Sequence, residues 1–263
     1  MKPLTIIKIG GAVITQKSRH VPILRRKVLK GLAKDFNSYL KVHPQESFVL
    51  IHGVGSFGHP LAKRYALANI KMKQKNILGV GLTHHAIQKL SIAITQAFLE
   101  TGSPIIQVSP ASCIIQNKGR ISFFAKNIIT SFLKQNLVPL LHGDIVNDEF
   151  SQFSVCSGDQ IISYLTTIFP CKRVIFLTDV DGVFSNDPKT DPHAKLIKKI
   201  QKKKLTETID STRPSLRTDV TNSMKGKLSE IIHIPCSVQI LNGLRKNNLL
   251  KALEGEKIGT EII

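Results

Sequence analysis

Two apolar runs of strand length each open directly into a glycine-rich turn, and that repeated arrangement restricts the chain more than any other feature. Phe48-Val49-Leu50-Ile51 leads into His52-Gly53-Val54-Gly55-Ser56-Phe57-Gly58-His59, and Leu4-Thr5-Ile6-Ile7 leads into Lys8-Ile9-Gly10-Gly11-Ala12. A buried strand followed by glycine brings bare backbone N–H groups to a surface, where a phosphate can sit. Pro60 follows His59. Because proline suits the first position of a helix, the spacing predicts an imidazole at a helix N-terminus, where amides and macrodipole favour an anion. Lys17, nine residues after Lys8, adds charge beside the first turn. One such turn serves equally well as a plain tight turn; two of them, with charged groups at their mouths, point to phosphate handling.

Apolar runs alternate with helical patterns along the whole chain, which predicts an α/β architecture with a largely parallel sheet. The expected strands are 4–9, 48–51, 104–108, 138–141, 174–178 and 237–241; the expected helices are 25–40, 81–100, 125–135, 159–169 and 223–232. Leu82, Ala86, Leu90 and Ile94 give the second helix an apolar stripe that reads as its core face. Asn117-Lys118-Gly119 and Asn147-Asp148-Glu149 read as hairpin turns. The stretch 186–221, with the lysine cluster and three prolines, reads as a mobile flap over a nucleotide. Ligands of open parallel sheets bind beyond the carboxyl ends of the strands, and here those ends run into His142-Gly143-Asp144 and Thr178-Asp179-Val180-Asp181-Gly182-Val183. Ser157-Gly158-Asp159-Gln160 and Asp219-Val220-Thr221-Asn222-Ser223-Met224-Lys225-Gly226-Lys227 open two helices. Each could be simple capping; converging on one edge, they form a site.

At 263 residues and 42% hydrophobic composition, the chain can bury one large core, as a single domain or two lobes sharing a sheet. No apolar run is long enough for a bilayer, and the start reads as a strand rather than a secretory signal, so the cytoplasm is expected. The four cysteines lack C-x-x-C pairing and metal-like spacing, which predicts reduced thiols and no metal site in the protein itself. A formal charge of +19 raises the possibility of a nucleic-acid partner. Against it, the only dense basic cluster is 198–204, and three tyrosines and no tryptophan provide no base-stacking strand. A solvated lysine face that attracts anionic substrates fits better.

Together the segments K-I-G-G-A with a following I-T-Q-K, then H-G-V-G-S-F-G-H-P, S-G-D-Q-I, T-D-V-D-G-V and D-V-T-N-S-M-K-G-K resemble the amino acid kinase superfamily. Within it, G-S-F-G-H and the lysine nine residues after the first resemble the isopentenyl phosphate kinases, with the fosfomycin kinases as near relatives. The resemblance implies a three-layer αβα sandwich over residues 1–263, with an acceptor-binding lobe at about 1–170 and a nucleotide-binding lobe at about 171–263. It implies transfer of the γ-phosphoryl of ATP, with Mg²⁺, to isopentenyl phosphate, and a homodimer.

On the matching positions, Lys8 would contact the transferring phosphoryl group, Lys17 would reach the β/γ region, Lys227 would complete the cradle, and Asp159 would hold the lysines. His59 would bond the accepting phosphate, with the backbone of Gly53, Gly58 and Gly158 around it. Gly10, Gly11, Ala12, Val54, Asp179 and Ser223 match nucleotide-side positions. Ala12, Val54 and Asn222-Ser223 stand where the family has serine, glycine and a glycine pair, which predicts weaker ATP binding. The alternatives are another small phosphonate or phosphate kinase, and a non-catalytic nucleotide-sensing or nucleic-acid-binding protein on the same scaffold.

Overall fold

A computed structural model describes residues 3–16, 21–68, 76–205 and 220–263, with backbone alone for 220–223. The chain begins with β1 (Leu4–Ile9), α1 (Gly11–Ile14), β2 (Thr15–Gln16), β3 (Ile23–Leu24), α2 (Arg26–Val42), β4 (Ser47–His52), α3 (Gly55–Arg64) and α4 (Ile77–Leu99). The middle holds β5 (Ile105–Gln107), β6 (Ile114–Asn117), β7 (Arg120–Phe124), α5 (Lys126–Lys134), β8 (Val138–His142), β9 (Asp144–Asp148), β10 (Gln152–Cys156) and α6 (Gly158–Ile168). The remainder is β11 (Cys171–Thr178), β12 (Val183–Phe184), β13 (Leu196–Ile197), β14 (Lys199–Ile200), α7 (Val220–Ile231), β15 (Ser237–Asn242), α8 (Asn248–Leu253) and β16 (Thr260–Ile262).

The main sheet has the order β14-β16-β15-β11-β1-β4-β8-β5. Every adjacent pair in it is parallel except β15 with β16. All six residues of β1 are buried, as a central parallel strand covered on both faces requires. The period of two then divides the core. Leu4, Ile6, Val49, Ile51, Val174 and Phe176 pack on one face with α5, α6 and α7, while Ile7, Ile9, Leu50, Ile175 and Leu177 pack on the other with α2, α4 and α8. Three layers result, as expected. Phe36, Phe48 and Phe98 close the second face, with the Phe36 and Phe48 rings edge to face at 5.2 Å between centroids, a geometry that adds to simple burial.

A separate four-stranded sheet, β10-β9-β6-β7, lies over the first face. The β6–β7 hairpin turns on Lys118 (φ 51°) and Gly119 (φ 75°), the two left-handed positions of the tight turn that matches strand twist. The second hairpin is also present, but β9 runs through Asp148 and turns at 149–151, because Asp148 accepts amides from Gly119, Phe150 and Ser151 and caps the turn from the strand end.

Three expectations change. The helix after β4 begins at Gly55, so Pro60 lies inside it and His59 stands past its first turn rather than at its N-terminus; the amides that face outward belong to the glycine-rich residues themselves. The buried face of α4 is Thr83, Ile87, Leu90, Ser91, Ile94 and Phe98, not a row through Leu82, which is exposed; a strict spacing of four drifts off a 3.6-residue helix. Part of the expected flap is built into ladders: β12 pairs with β13 and β14 pairs with β16, which places 196–197 and 199–200 in strands. Residues 206–219 of that segment lie outside the described residues.

Candidate functional site

Strand order reverses around β1, since the chain builds outward through β4 and β8 before returning to place β11 and β15 on the other side. A crevice at the carboxyl ends of the strands follows from that topology. Four strand ends there carry glycine, and each glycine N–H extends the ladder by one bond: Gly10 to Leu177, Gly53 to Ile9, Gly143 to His52 and Gly243 to Thr178. The two glycine turns identified in the sequence meet in this crevice. A Cβ on Gly11 would lie 2.4 Å from Gly55 N, and one on Gly53 would lie 2.6 Å from Gly11 N. The glycines let two backbones touch, and their first role is that contact.

The amides of Gly10 and Gly53 are committed to the ladder, and that of Gly58 to the carbonyl of Val54 inside α3, so these glycines shape the crevice without offering an N–H to it. The amides of Gly11, Val54 and Gly55 meet no acceptor among the described residues; the next amide of α3, Ser56 N, is capped by the Thr15 hydroxyl at 3.1 Å. Gly58 is buried, and a Cβ there would meet Val54 Cβ at 2.7 Å and Ile87 Cγ1 at 3.2 Å; Val54 itself requires glycine four residues on.

Beside the turns, Lys8 from β1, Asp159 from α6 and Lys227 from α7 form one cluster. Asp159 bonds the Lys8 ammonium through Oδ1, and Lys227 Nζ lies 3.1 Å from both carboxylate oxygens. The side chains are only 11%, 14% and 7% exposed. The Phe176 ring lies beneath, with Lys227 Nζ 4.7 Å and Lys8 Nζ 6.0 Å from its centroid, so a π face supports both cations. Burial opposes ionisation of Asp159, but the charges of Lys227 and Lys8 outweigh it and hold its pKa down to about 2. Burial, aided by the charge of Lys8 and resisted by Asp159, brings Lys227 down to about 8. Two ammonium groups against one carboxylate leave a net positive site with little water, and an arriving anion completes it.

The other expected residues divide. Ser157 caps α6 through its hydroxyl, which accepts from Gln160 N at 3.1 Å, whereas Asp159 beside it points to the lysines. Gly158 fits the cluster closely: a Cβ would meet Ile51 Cγ2 at 3.0 Å and Lys8 Cε at 3.6 Å. Ala12 is exposed on α1 and His59 is exposed on α3, the helix joined to the neighbour of the strand that carries Lys8. Asp179, at the end of β11, pairs with Lys189, and Asp181 pairs with Arg245. Lys17 and the side chain of Ser223 lie outside the described residues.

Sequence reasoning did not find Phe176, which looks like any core residue of a strand. It also did not assemble a histidine network behind the glycine turns. His52 Nε2 meets Ser91 Oγ at 2.6 Å, and His84 Nδ1 meets both oxygens of Asp144 at 3.0 and 3.1 Å. Gln88 Nε2 lies 3.4 Å from His142 Nε2 and from Ser109 Oγ. Burial, then the neighbouring His142, pushes His52 down to about 3, and burial lowers His142; both rings are neutral. The one legible signal was the spacing of His84, Gln88 and Ser91, which lines one side of a helix. No helix among the described residues is long and apolar enough to cross a membrane.

The arrangement matches known proteins over nearly its whole length. The amino acid kinase family model matches residues 3–236. The sequence is 34% identical to the isopentenyl phosphate kinase of Methanothermobacter thermautotrophicus, with 98% of each chain covered. It is 32% identical to that of Methanocaldococcus jannaschii, again over 98% of each. A solved structure described as "X-ray structures of isopentenyl phosphate kinase" superimposes with a TM-score of 0.85 and 31% identity, covering 99% of this chain and all of that one. The glycine turns, the strand order and the matched span agree: the chain belongs to the amino acid kinase family.

Proposed function

We propose that this protein transfers the γ-phosphoryl group of ATP to isopentenyl phosphate, giving isopentenyl diphosphate and ADP. The observation that carries the reading is the Lys8–Asp159–Lys227 cluster at the topological switch point, in a chain whose full-length relatives are named isopentenyl phosphate kinases. Phosphoryl transfer between two phosphates asks little of a protein beyond alignment and neutralisation of crowded negative oxygens. Lys8 and Lys227 neutralise that charge from one side, the amides of Gly11, Val54 and Gly55 face the phosphates from the other, and Asp159 fixes both lysines. Lys17 serves the β/γ phosphates, and Gly10, Ala12, Asp179 and Ser223 border the nucleotide. His59 donates to the accepting phosphate while Gly53, Gly58 and Gly158 set the shape around it. Residues from about 171 onward form the nucleotide lobe and those before it the acceptor lobe, joined by the β1–β11 pairing.

In this reading Mg²⁺ arrives on the phosphates of ATP and shields their charge there. Residence in the cytoplasm and a homodimer belong to the same reading; the exposed Ile77, Leu78, Ile92 and Leu99 of α4 support an association surface.

The test is a phosphoryl-transfer assay with isopentenyl phosphate, fosfomycin, mevalonate 5-phosphate, glutamate and UMP, run beside His59→Ala. Wild-type protein is expected to use isopentenyl phosphate best, and H59A to lose about 10²–10³-fold in kcat/KM for it, the usual cost of one transition-state hydrogen-bond donor. Preference for fosfomycin, or turnover unaffected by H59A, overturns the reading.

The Lys227 shift predicts a pH profile. Between about 8, its folded value, and 10.5, its ordinary one, the unfolded chain holds a proton that the folded chain has lost, so folding stability gains with pH in that window while the cationic site is lost. The value of kcat/KM for ATP, which reports the free enzyme, is expected to fall above about pH 8. In contrast kcat should persist to higher pH, because bound phosphates favour the ammonium form. Parallel decline of both would rule this out.

A further inference from the structure

Helix α4 carries two sets of contacts. One is the buried face already described; the other, which shares Ser91 with it, is a polar row at His84, Gln88, Ser91 and Thr95, spaced to lie on one side of the helix. Each member of the row engages a different strand or loop. His84 bonds Asp144, which opens β9; Gln88 approaches His142 at the end of β8; Ser91 bonds His52 at the end of β4; and Thr95 Oγ1 accepts from Gln107 Nε2 of β5 at 2.9 Å. An apolar row would attach the helix as firmly, since buried polar pairs add little net stability over well-packed hydrocarbon. Hydrogen bonds to fixed partners differ in setting the position of a helix along its own axis.

That position matters because α4 touches both loops around the acceptor. Ile87 supports Gly58, at 3.2 Å from where a Cβ would be. Asp144 follows Gly143, which sits in ordinary contact with the same walls: a Cβ there would lie 3.4 Å from Gly158 N and 3.5 Å from Val54 Cγ1. Asp144 is the anchor. Its side chain is fully buried, and it also accepts from Ile145 N at 2.9 Å and Ala111 N at 3.4 Å.

We infer that His84 and Asp144 are a positioning pair: they lock α4 to the β8–β9 turn and thereby hold the Gly58-His59 and Gly143/Gly158 walls at the separation that binds the acceptor phosphate. The inference rests on the acceptor assignment of the preceding subsection. His84 is the titrating member. The hydrogen bond to Asp144 raises its pKa, with burial opposing and the carboxylate charge assisting. The titratable groups that interact with the pair are the neutral His142 from β8 and, through Asp144, the Cys113 and Cys156 thiols, both of which burial pushes up. Protonated His84 therefore makes an ion pair with Asp144. As pH rises through its raised value the pair weakens to a neutral hydrogen bond, and acceptor affinity weakens with it.

The experiment is steady-state kinetics with isopentenyl phosphate varied at saturating ATP, from about pH 6 to about pH 9, on wild type, His84→Ala, His84→Gln and Asp144→Asn, with thermal midpoints alongside. His84→Ala is expected to raise acceptor KM about tenfold while kcat and the KM for ATP stay within about twofold. His84→Gln keeps an amide donor toward Asp144, so its KM should return close to wild type at neutral pH, with the His84 step missing from its pH profile. Asp144→Asn should raise acceptor KM as His84→Ala does. An unchanged acceptor KM in both His84 variants overturns the inference, as does a loss shared equally among kcat, KM for ATP and KM for acceptor. If His84→Ala fails to fold, a wild-type-like pH profile in His84→Gln overturns it. Wild type inert toward isopentenyl phosphate would instead overturn the functional reading on which it rests.

Discussion

Asp159→Asn is expected to be the most damaging single substitution outside the hydrocarbon core. It removes the only carboxylate that, among the described residues, pairs with the Lys8 and Lys227 ammonium groups, both nearly inaccessible to water. Deleting one partner of a buried ion pair costs about 3–5 kcal/mol because the remaining charge is uncompensated, and here two like charges remain. Lys227, already down to about 8, is the group expected to give up its proton in response. A fall of roughly 10 °C in thermal midpoint at neutral pH follows from the scaling for a chain of this size, together with a loss of kcat of about 10² or more.

Acid behaviour supplies a second signature. The folded pKa of Asp159 is about 2 against an ordinary 3.8, so its contribution is fully present above the ordinary value and is lost as pH falls through the folded one. Asp159→Asn should lack that portion of the acid destabilisation. ATP should stabilise the variant more than the wild type, because nucleotide phosphates replace the missing carboxylate. A thermal midpoint equal to wild type would show that the lysines do not depend on Asp159.

The strands were legible because central parallel strands are largely apolar, and Leu4–Ile9 and the 174–178 part of β11 form such runs between residues that stop them, while the start of β11 at Cys171-Lys172-Arg173 carried no such signal. That the segments carrying Asp159 and Lys227 converge on one sheet edge was legible from strand ends and helix starts, but the direct grouping of the two with Lys8 came through resemblance: positions 8, 159 and 227 share no local pattern, and parallel pairing of β1 with β11 and the packing of α6 and α7 on that pair bring them together. The histidine network was hidden for a related reason. His52, His84, His142 and Asp144 come from four elements, and each alone reads as a strand end or a polar helix position. The misplacement of His59 had a local cause, since Pro60 is a start signal that a helix already under way can absorb at the cost of one hydrogen bond. The glycines were recognised, but their purpose was read as ligand approach when much of it is contact between chain segments.

That purpose makes Gly11→Ala the second substitution with a large effect. A methyl group at Gly11 would fall 2.4 Å from Gly55 N and 2.6 Å from Gly55 Cα, with Gly53 C at 3.4 Å. These are backbone atoms tied to β4 and α3, and no rotamer change relieves the clash, so the two turns must separate. Overpacking of this kind costs about 1–3 kcal/mol, but the larger consequence is functional, because the amides of Gly11, Val54 and Gly55 would no longer converge. A displacement of about 1 Å in a positioned group reduces turnover about 10²-fold, and near-complete loss of activity is expected here. Gly31 in α2 provides the control: nothing lies within 4 Å of a Cβ there, and alanine in a helix interior should stabilise by about 0.5–1 kcal/mol without altering turnover. Both variants can be compared by thermal midpoint and by kcat/KM for ATP. If Gly11→Ala retained wild-type kcat/KM, contact between the two turns would not be what aligns their amides, and the assignment of those amides to the phosphates would fall with it.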